Sequence, residues 1–520
     1  MHLPSFHGAK NVVYYSINFF YGRTKDMSKI GFDNQKYLTT QSEQIRRRID
    51  QFGGKLYLEF GGKLFDDFHA SRVLPGFEPD SKMRMLQQLK EDVEVVIAIN
   101  AEDIERSKVR SDLGITYDAD VLRLIDIFRD LGLYVGSVVL TRFAAQPGAA
   151  AFRRKLKKAG IPCYRHYSIA GYPHDVAHIV SDKGFGANDF IETTRPLVVV
   201  TAPGPGSGKM ATCLSQLYHE HKRGVAAGYA KFETFPVWNL PLKHPVNLAY
   251  EAATADLNDV NMLDPFHLEH YGVLSVNYNR DVEIFPVLKA MFERIHGSSP
   301  YQSPTDMGVN MVGNCIVDDE ACRDASRKEI LRRYYAARVD AVRGKDAEET
   351  IRKLELVMKH ADVTPDIFPA VAASLKRAEE TKGPAGAMVL PDGRLITGRT
   401  SDTLGAASAM LLNALKVLAG IEDEKHLIAS HVLEPICELK TGYMGHRNPR
   451  LHTDEVLLAL TISALTDPVA QKAKEQLKNL RGSEAHFTVI LSEEDEKLLR
   501  RLGIHVSFEA KYESRRLYHK

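Results

Sequence analysis

The 520 residues, 44% apolar and 26% charged, suffice for about three domains with a core each and have the make-up of an ordinary soluble globular chain. A formal net charge of +1, with acids and bases intermixed, excludes the basic excess of a dedicated nucleic-acid or membrane-surface binder. The five cysteines are scattered and form no C-x-x-C, which fits a reducing, cytoplasmic setting without disulfides or structural zinc.

Residues 1–27 hold an aromatic-rich stretch broken by Ser16 and Asn18, with no cleavage site behind it and too short to span a membrane. A poorly ordered tail is expected there, with Met27 as an alternative start. From 28 to 318 strand-like and helix-like segments alternate. Strands are expected at 55–60, 95–100, 133–141, 163–167, 197–201, 225–232 and 272–277, with amphipathic segments at 82–90, 119–131 and 149–159. Such alternation predicts an α/β domain around a mainly parallel sheet, Rossmann-like or P-loop-like, whose ligands bind beyond the carboxyl ends of the strands. Those ends carry Glu59 and Lys63, Asn100 and Asp103, and Thr141 and Arg142. Each alone reads as a cap or turn; their shared rim makes them candidates.

The fifth strand enters Pro203-Gly204-Pro205-Gly206-Ser207-Gly208-Lys209, and Met210, Leu214 and Leu217 follow at helical spacing. A glycine-rich turn opening a helix presents free N–H groups and the positive end of the helix dipole, which suits a phosphate. Gly204, Gly206 and Gly208 allow the backbone to approach the ligand, with Ser207 between them, and Lys209 adds a positive charge. The phosphate-loop pattern G-x-x-x-x-G-K-[ST] requires a glycine at 203 and a hydroxyl at 210, where Pro203 and Met210 stand instead. That hydroxyl normally reaches Mg²⁺, and Thr212 is turned about 200° away around the helix. A dinucleotide fingerprint begun at Gly204 would place Lys209 on its third glycine, although Glu233 remains available for a ribose. A tight turn without a ligand is the alternative to all of these.

A long irregular stretch, 238–245 and then 251–261, supplies Asp256 as a candidate carboxylate, with Asp259 and Asp264 near it. Arg280, after the next strand, offers a guanidinium for a charged ligand. Residues 319–382 show only helical periodicity and predict a helical middle domain, suited to an interface between copies of the chain. From 383 to 520 a D-G hairpin, helices and two further strands predict a smaller α/β domain. Its hairpin-then-helix opening is similar to the deaminase-type fold, without the H-x-E and P-C-x-x-C zinc signature. The loop 443–452 gathers two histidines and two arginines, either to close over an anion or as a solvated segment.

Long stretches of the chain, among them 55–67 (KLYLEFGGKLFDD), 195–219 with the glycine loop, 228–237 (GYAKFETFPV), 247–267 and 303–313, resemble an uncharacterised bacterial family built on a domain of unknown function. The resemblance covers about 31–512 and implies a multidomain α/β fold without an established reaction. Some members bear the label of ATP-dependent peptidase, which the residues do not support. His219-Glu220-His221 and His267-Leu268-Glu269-His270 lack the H-E-x-x-H or H-x-x-E-H spacing, and Gly206-Ser207-Gly208 is too tight for a G-x-S-x-G elbow. The expected protein binds a nucleotide, with ATP and Mg as the candidate cofactor, or another phosphorylated small molecule, and catalyses group transfer or ligation. Lys209, Glu59 and Asp256 are the candidate catalytic residues. Gly204, Gly206, Ser207, Gly208, Lys209, Lys63 and Arg280 are the candidate binding residues, with no metal centre of the protein's own. A non-catalytic oligomeric metabolite sensor and a dinucleotide-dependent oxidoreductase are the other two readings; a homo-oligomer is expected, with neither nucleic acid nor membrane as partner.

Overall fold

The structure, a computed structural model, describes residues 30–513 apart from 63, 66, 111 and 112. The tail at 1–27 and the candidate Lys63 thus lie outside the described residues. Runs rich in β-branched and aliphatic residues form the strands β1 (Leu56–Phe60), β2 (Val93–Asn100), β3 (Tyr134–Thr141), β4 (Cys163–Arg165), β5 (Leu197–Thr201), β6 (Gly228–Phe232) and β7 (Gly308–Val309). They build one seven-stranded sheet in the order β7-β6-β1-β5-β2-β3-β4. All of its pairings are parallel. Every residue of β1, β2 and β5 is buried, as expected of strands covered on both faces.

One face carries Tyr57, Val96, Val198, Val200 and Tyr229 into a core with Leu214 and Leu217 of the helix Lys209–Lys222 and with Phe285, Leu288 and Phe292 of the helix Asn279–His296. The helix Asn34–Gln51 starts at Asp33, whose carboxylate accepts the Lys36 N–H, and turns Tyr37, Leu38, Ile45 and Ile49 inward. The connection leaving β5 crosses β1 to reach β6, whereas that leaving β2 runs outward to β3. The two connections diverge where the glycine loop stands, a topological switch point of the kind at which open α/β sheets hold ligands.

Two elements depart from expectation. The strand expected at 272–277 is Val276–Tyr278, which pairs antiparallel with Asn261–Leu263 in a separate two-stranded ribbon. The seventh strand of the sheet is instead the two-residue β7, inside a stretch of turn formers too short to show any period. The segment 238–261 also contains a helix, Pro245–Ala253, opened by His244, whose ring nitrogen accepts the Val246 N–H at 3.2 Å.

Residues 30–337 with 346–364 form one unit, and 338–345 with 365–513 a second. The helical stretch 319–382 is therefore shared between them. Glu329 is buried in the first, where Arg72 and Arg333 each reach it at 2.9 Å. Val339 is buried in the core of the second. The second unit is also α/β: β8 (Ala385–Val389), β9 (Leu395–Arg399), β10 (Glu484–Phe487) and β11 (His505–Phe508) form a four-stranded sheet in the order β9-β8-β10-β11. β8 is antiparallel to both neighbours, and β10 and β11 are parallel. Among the described residues no helix is long and apolar enough to cross a membrane.

Candidate functional site

The glycine loop leaves the central strand β5 and enters the helix Lys209–Lys222 through Gly208, which caps it in the left-handed region at φ +83° without a side-chain cap. Gly206 is also left-handed, at φ +75°, and a Cβ there would meet nothing within 4 Å. The loop is braced from behind. A Cβ on Gly204 would stand 2.3 Å from the Tyr117 hydroxyl, and one on Gly208 3.1 Å from the Thr141 side chain. Thr141 Oγ1 donates to the Ser207 carbonyl at 2.8 Å. The Ser207 hydroxyl turns inward to donate to the Gly204 carbonyl, also at 2.8 Å, so its side chain holds the turn.

Among the described residues, no acceptor takes the backbone N–H groups of Gly206 and of Gly208 through Ala211; the helix's own ladder starts with Thr212 N–H on the Gly208 carbonyl at 2.9 Å. Those donors and the helix dipole make the turn electropositive. Lys209 is half-buried, and among the described residues no carboxylate pairs with it. Its ammonium and the Glu59 carboxylate both act on the thiol of Cys213: burial and Glu59 push that thiol up while Lys209 pulls it down. Lys209 and Glu59 are each near enough to Cys213 to act on its thiol.

Glu59 belongs to a buried polar wall that the sequence reading missed. It accepts the Tyr229 hydroxyl at 2.7 Å. In the neighbouring strand Lys231, in register with Glu59, reaches Glu233 at 2.9 Å and also binds Asp281. Burial opposes charge on Lys231, but Asp281, Glu233 and Glu59 together outweigh it and raise its pKa. For Glu233 burial is the larger influence. Although Lys231 opposes it, burial with help from Asp281 raises the carboxyl to about 7. An acid poised near neutrality in a buried site is suited to moving protons. Gly308 makes room for this arrangement, since a Cβ there would stand 2.4 Å from the Trp238 ring and 3.2 Å from Glu233 Oε2. Only the alternation of Tyr229, Lys231 and Glu233, along one strand and just past its end, hinted at the wall.

The other candidates lie elsewhere. Asp256 is exposed on the 3₁₀ turn Ala255–Leu257, beside the helix Glu348–Ala361, and nothing among the described residues links it to the loop. Arg280 is mostly exposed and is paired with Asp259. Asn100 caps the helix Ala101–Glu105 by accepting the Glu102 N–H at 2.9 Å. Arg142 stands 3.9 Å from Glu102 on the surface. Met210 offers no hydroxyl, Thr212 Oγ1 donates to the Gly208 carbonyl at 2.9 Å, and among the described residues no three His, Cys, Asp or Glu side chains gather around one point.

Fold and loop together describe a two-unit α/β protein with an open parallel sheet and a glycine-rich turn at its switch point. The chain belongs to the family of the domain of unknown function DUF1846, whose N-terminal model matches residues 30–362 and whose C-terminal model matches 366–518. The boundary between the two models falls beside the division of the two units near 364. The chain is 58% identical over 494 residues to a UPF0371 protein of Streptococcus thermophilus, covering 95% of this chain and 100% of the relative. A UPF0371 protein of Streptococcus pneumoniae matches with the same identity and coverage.

Proposed function

We propose that the chain binds a nucleotide or another phosphorylated metabolite on the turn Gly204–Lys209 and transfers or ligates a group carried by it. The observation that carries this reading is the N–H groups of Gly206 and of Gly208 through Ala211 without an acceptor among the described residues, at the uncapped start of a 14-residue helix. Lys209 would neutralise phosphate charge. Glu233 and Glu59 would handle the proton of the second substrate. Phosphate, rather than a metal held by protein side chains, is the recognised group; Mg²⁺ would arrive on the nucleotide. Glu233, which a dinucleotide reading assigns to a ribose, is held by Lys231 at 2.9 Å, and this favours the transfer reading over the oxidoreductase. The strand order of the second unit, with its antiparallel hairpin beside a parallel pair, supports reading it as a zinc-less deaminase-type layer.

Thermal shift with ATP, NAD(P) and sugar phosphates tests the reading. A ligand at 100 times its Kd adds about 2.7 kcal/mol of stability. The expected result is a shift with one class of phosphorylated ligand that Lys209→Ala abolishes. No shift with any of them, or one that Lys209→Ala leaves intact, overturns the assignment. Binding without turnover by any co-substrate would instead favour the metabolite sensor.

A further inference from the structure

The helix Thr453–Ser463 of the second unit is apolar on two sides. Val456, Ala459 and Leu460 enter the core of that unit. Leu458 and Ile462 face outward, and Leu465 continues their line in the turn that follows, where its N–H donates to the Ile462 carbonyl at 3.1 Å. These three residues are between 58 and 80% exposed. Spacings of four and then three residues are those of a seam between paired helices, and from Val456 to Leu465 the chain has no charged residue. A helix that is apolar all round belongs in an interior, yet among the described residues nothing covers this side.

The seam is held firmly. Thr453 N–H donates to Asp495 Oδ1 and His452 N–H to Glu455 Oε2, both at 2.7 Å. Lys440 Nζ reaches the same Glu455 oxygen at 2.7 Å and the Arg450 carbonyl at 2.8 Å, which pins the turn Leu439–Tyr443 beside the start of the helix. Leu439, Tyr443 and Met444 there are between 50 and 88% exposed. The six side chains present on the order of 600 Å² of apolar surface, the upper end of what a monomer shows in one patch. Homodimer interfaces are about 65% apolar, so this patch corresponds to roughly 900 Å² per copy, against the about 800 Å² that a stable association buries on each side.

We propose that this face of the second unit pairs with the same face of a second copy of the chain, the two helices Thr453–Ser463 lying antiparallel. The sequence Leu458, Ile462, Leu465 reads nearly the same in both directions. A two-fold axis through Ile462 therefore sets that residue against its own counterpart and Leu458 against Leu465 of the partner subunit, the self-complementarity that an isologous contact requires. An acidic or basic partner finds no charge on the seam to pair with. Asp454, Glu455 and Asp467 flank it in sequence and repel the anionic surface of a membrane.

Sedimentation equilibrium on the full chain tests the pairing. The expected mass is that of an even number of chains, halved in Ile462→Asp, where two facing carboxylates weaken the contact by at least about 100-fold. Leu395→Asp, on the exposed start of the edge strand β9, should leave the assembly unchanged. Should Ile462→Asp fold poorly, Ile462→Cys decides: diamide should oxidise the two facing thiols to a disulfide that links two chains, the native cysteines being buried or half-buried. A monomeric unmodified chain, an assembly that a folded Ile462→Asp leaves intact, or absence of the disulfide overturns the proposal. A monomer would leave the seam to a different protein or to none.

Discussion

A buried carboxyl group next to one ammonium and a second carboxylate is pulled both ways, and at Glu233 burial and Asp281 prevail over Lys231, lifting its pKa from 4.5 to about 7. In the unfolded chain the same group loses its proton near 4.5, so between these values the native state holds more proton than the unfolded one. The stability contributed by this group is complete below about 4.5 and is lost as pH rises through about 7, a change on the order of 3 kcal/mol. Glu233→Gln keeps the neutral form at every pH. Urea unfolding should therefore show the variant gaining on the unmodified protein between pH 5 and pH 8; an equal difference at both would refute the raised value. This residue also shows where the sequence stopped being informative. Lys231 and Asp281 are 50 positions apart, and only the parallel pairing of β6 with β1, together with the start of the helix Asn279–His296, makes them neighbours of Glu59. No spacing rule reaches across that distance.

At the scale of elements, two glycines separate strain from collision. Gly206 is left-handed but open, so Gly206→Ala should cost about 1–2 kcal/mol from backbone strain alone. Gly398 in β9 has no positive φ, yet a Cβ there would lie 2.2 Å from the Met410 nitrogen, inside the helix Ala406–Ala419. A rigid helix backbone cannot yield as a side-chain tip does, so Gly398→Ala should cost about 3 kcal/mol by lifting the helix from the sheet. Calorimetric melts of the two variants check the order; a milder effect at 398 than at 206 would contradict this packing. The strands of the main sheet were legible for a related reason. Leu197-Val198-Val199-Val200 and Val95–Ile99 are buried on both faces, and a continuous apolar run records that directly. β7 was illegible because two residues carry no period, and the 272–277 segment misled because an apolar run does not say which sheet it joins. The turn at Gly204–Lys209 was legible for the local reason that glycines and a following helix are written consecutively.

On the scale of the whole chain, sequence order and structural unit disagree over a short piece. Residues 338–345 precede the segment 346–364 of the first unit yet group with the second. Val339 is buried in the second unit's core, Arg338 stands 3.9 Å from Glu509, and Arg343 3.5 Å from Glu496. The ion pairs are partly exposed and add little. Burying a valine contributes about 1.5 kcal/mol or more, and its absence leaves a cavity behind. A fragment covering 338–520 should consequently melt higher than one covering 365–520, although the longer one carries 346–364 without the unit to which they belong. Val339→Ala within the 338–520 fragment should abolish most of that difference, because the effect lies in one side chain and not in the length of the helix. Far-ultraviolet circular dichroism melts of the three proteins measure it. Equal transitions for 338–520 and 365–520 would show that the C-terminal unit closes its core without this segment. The working boundary would then coincide with the family-model boundary near 364 and not with the earlier crossing at 338.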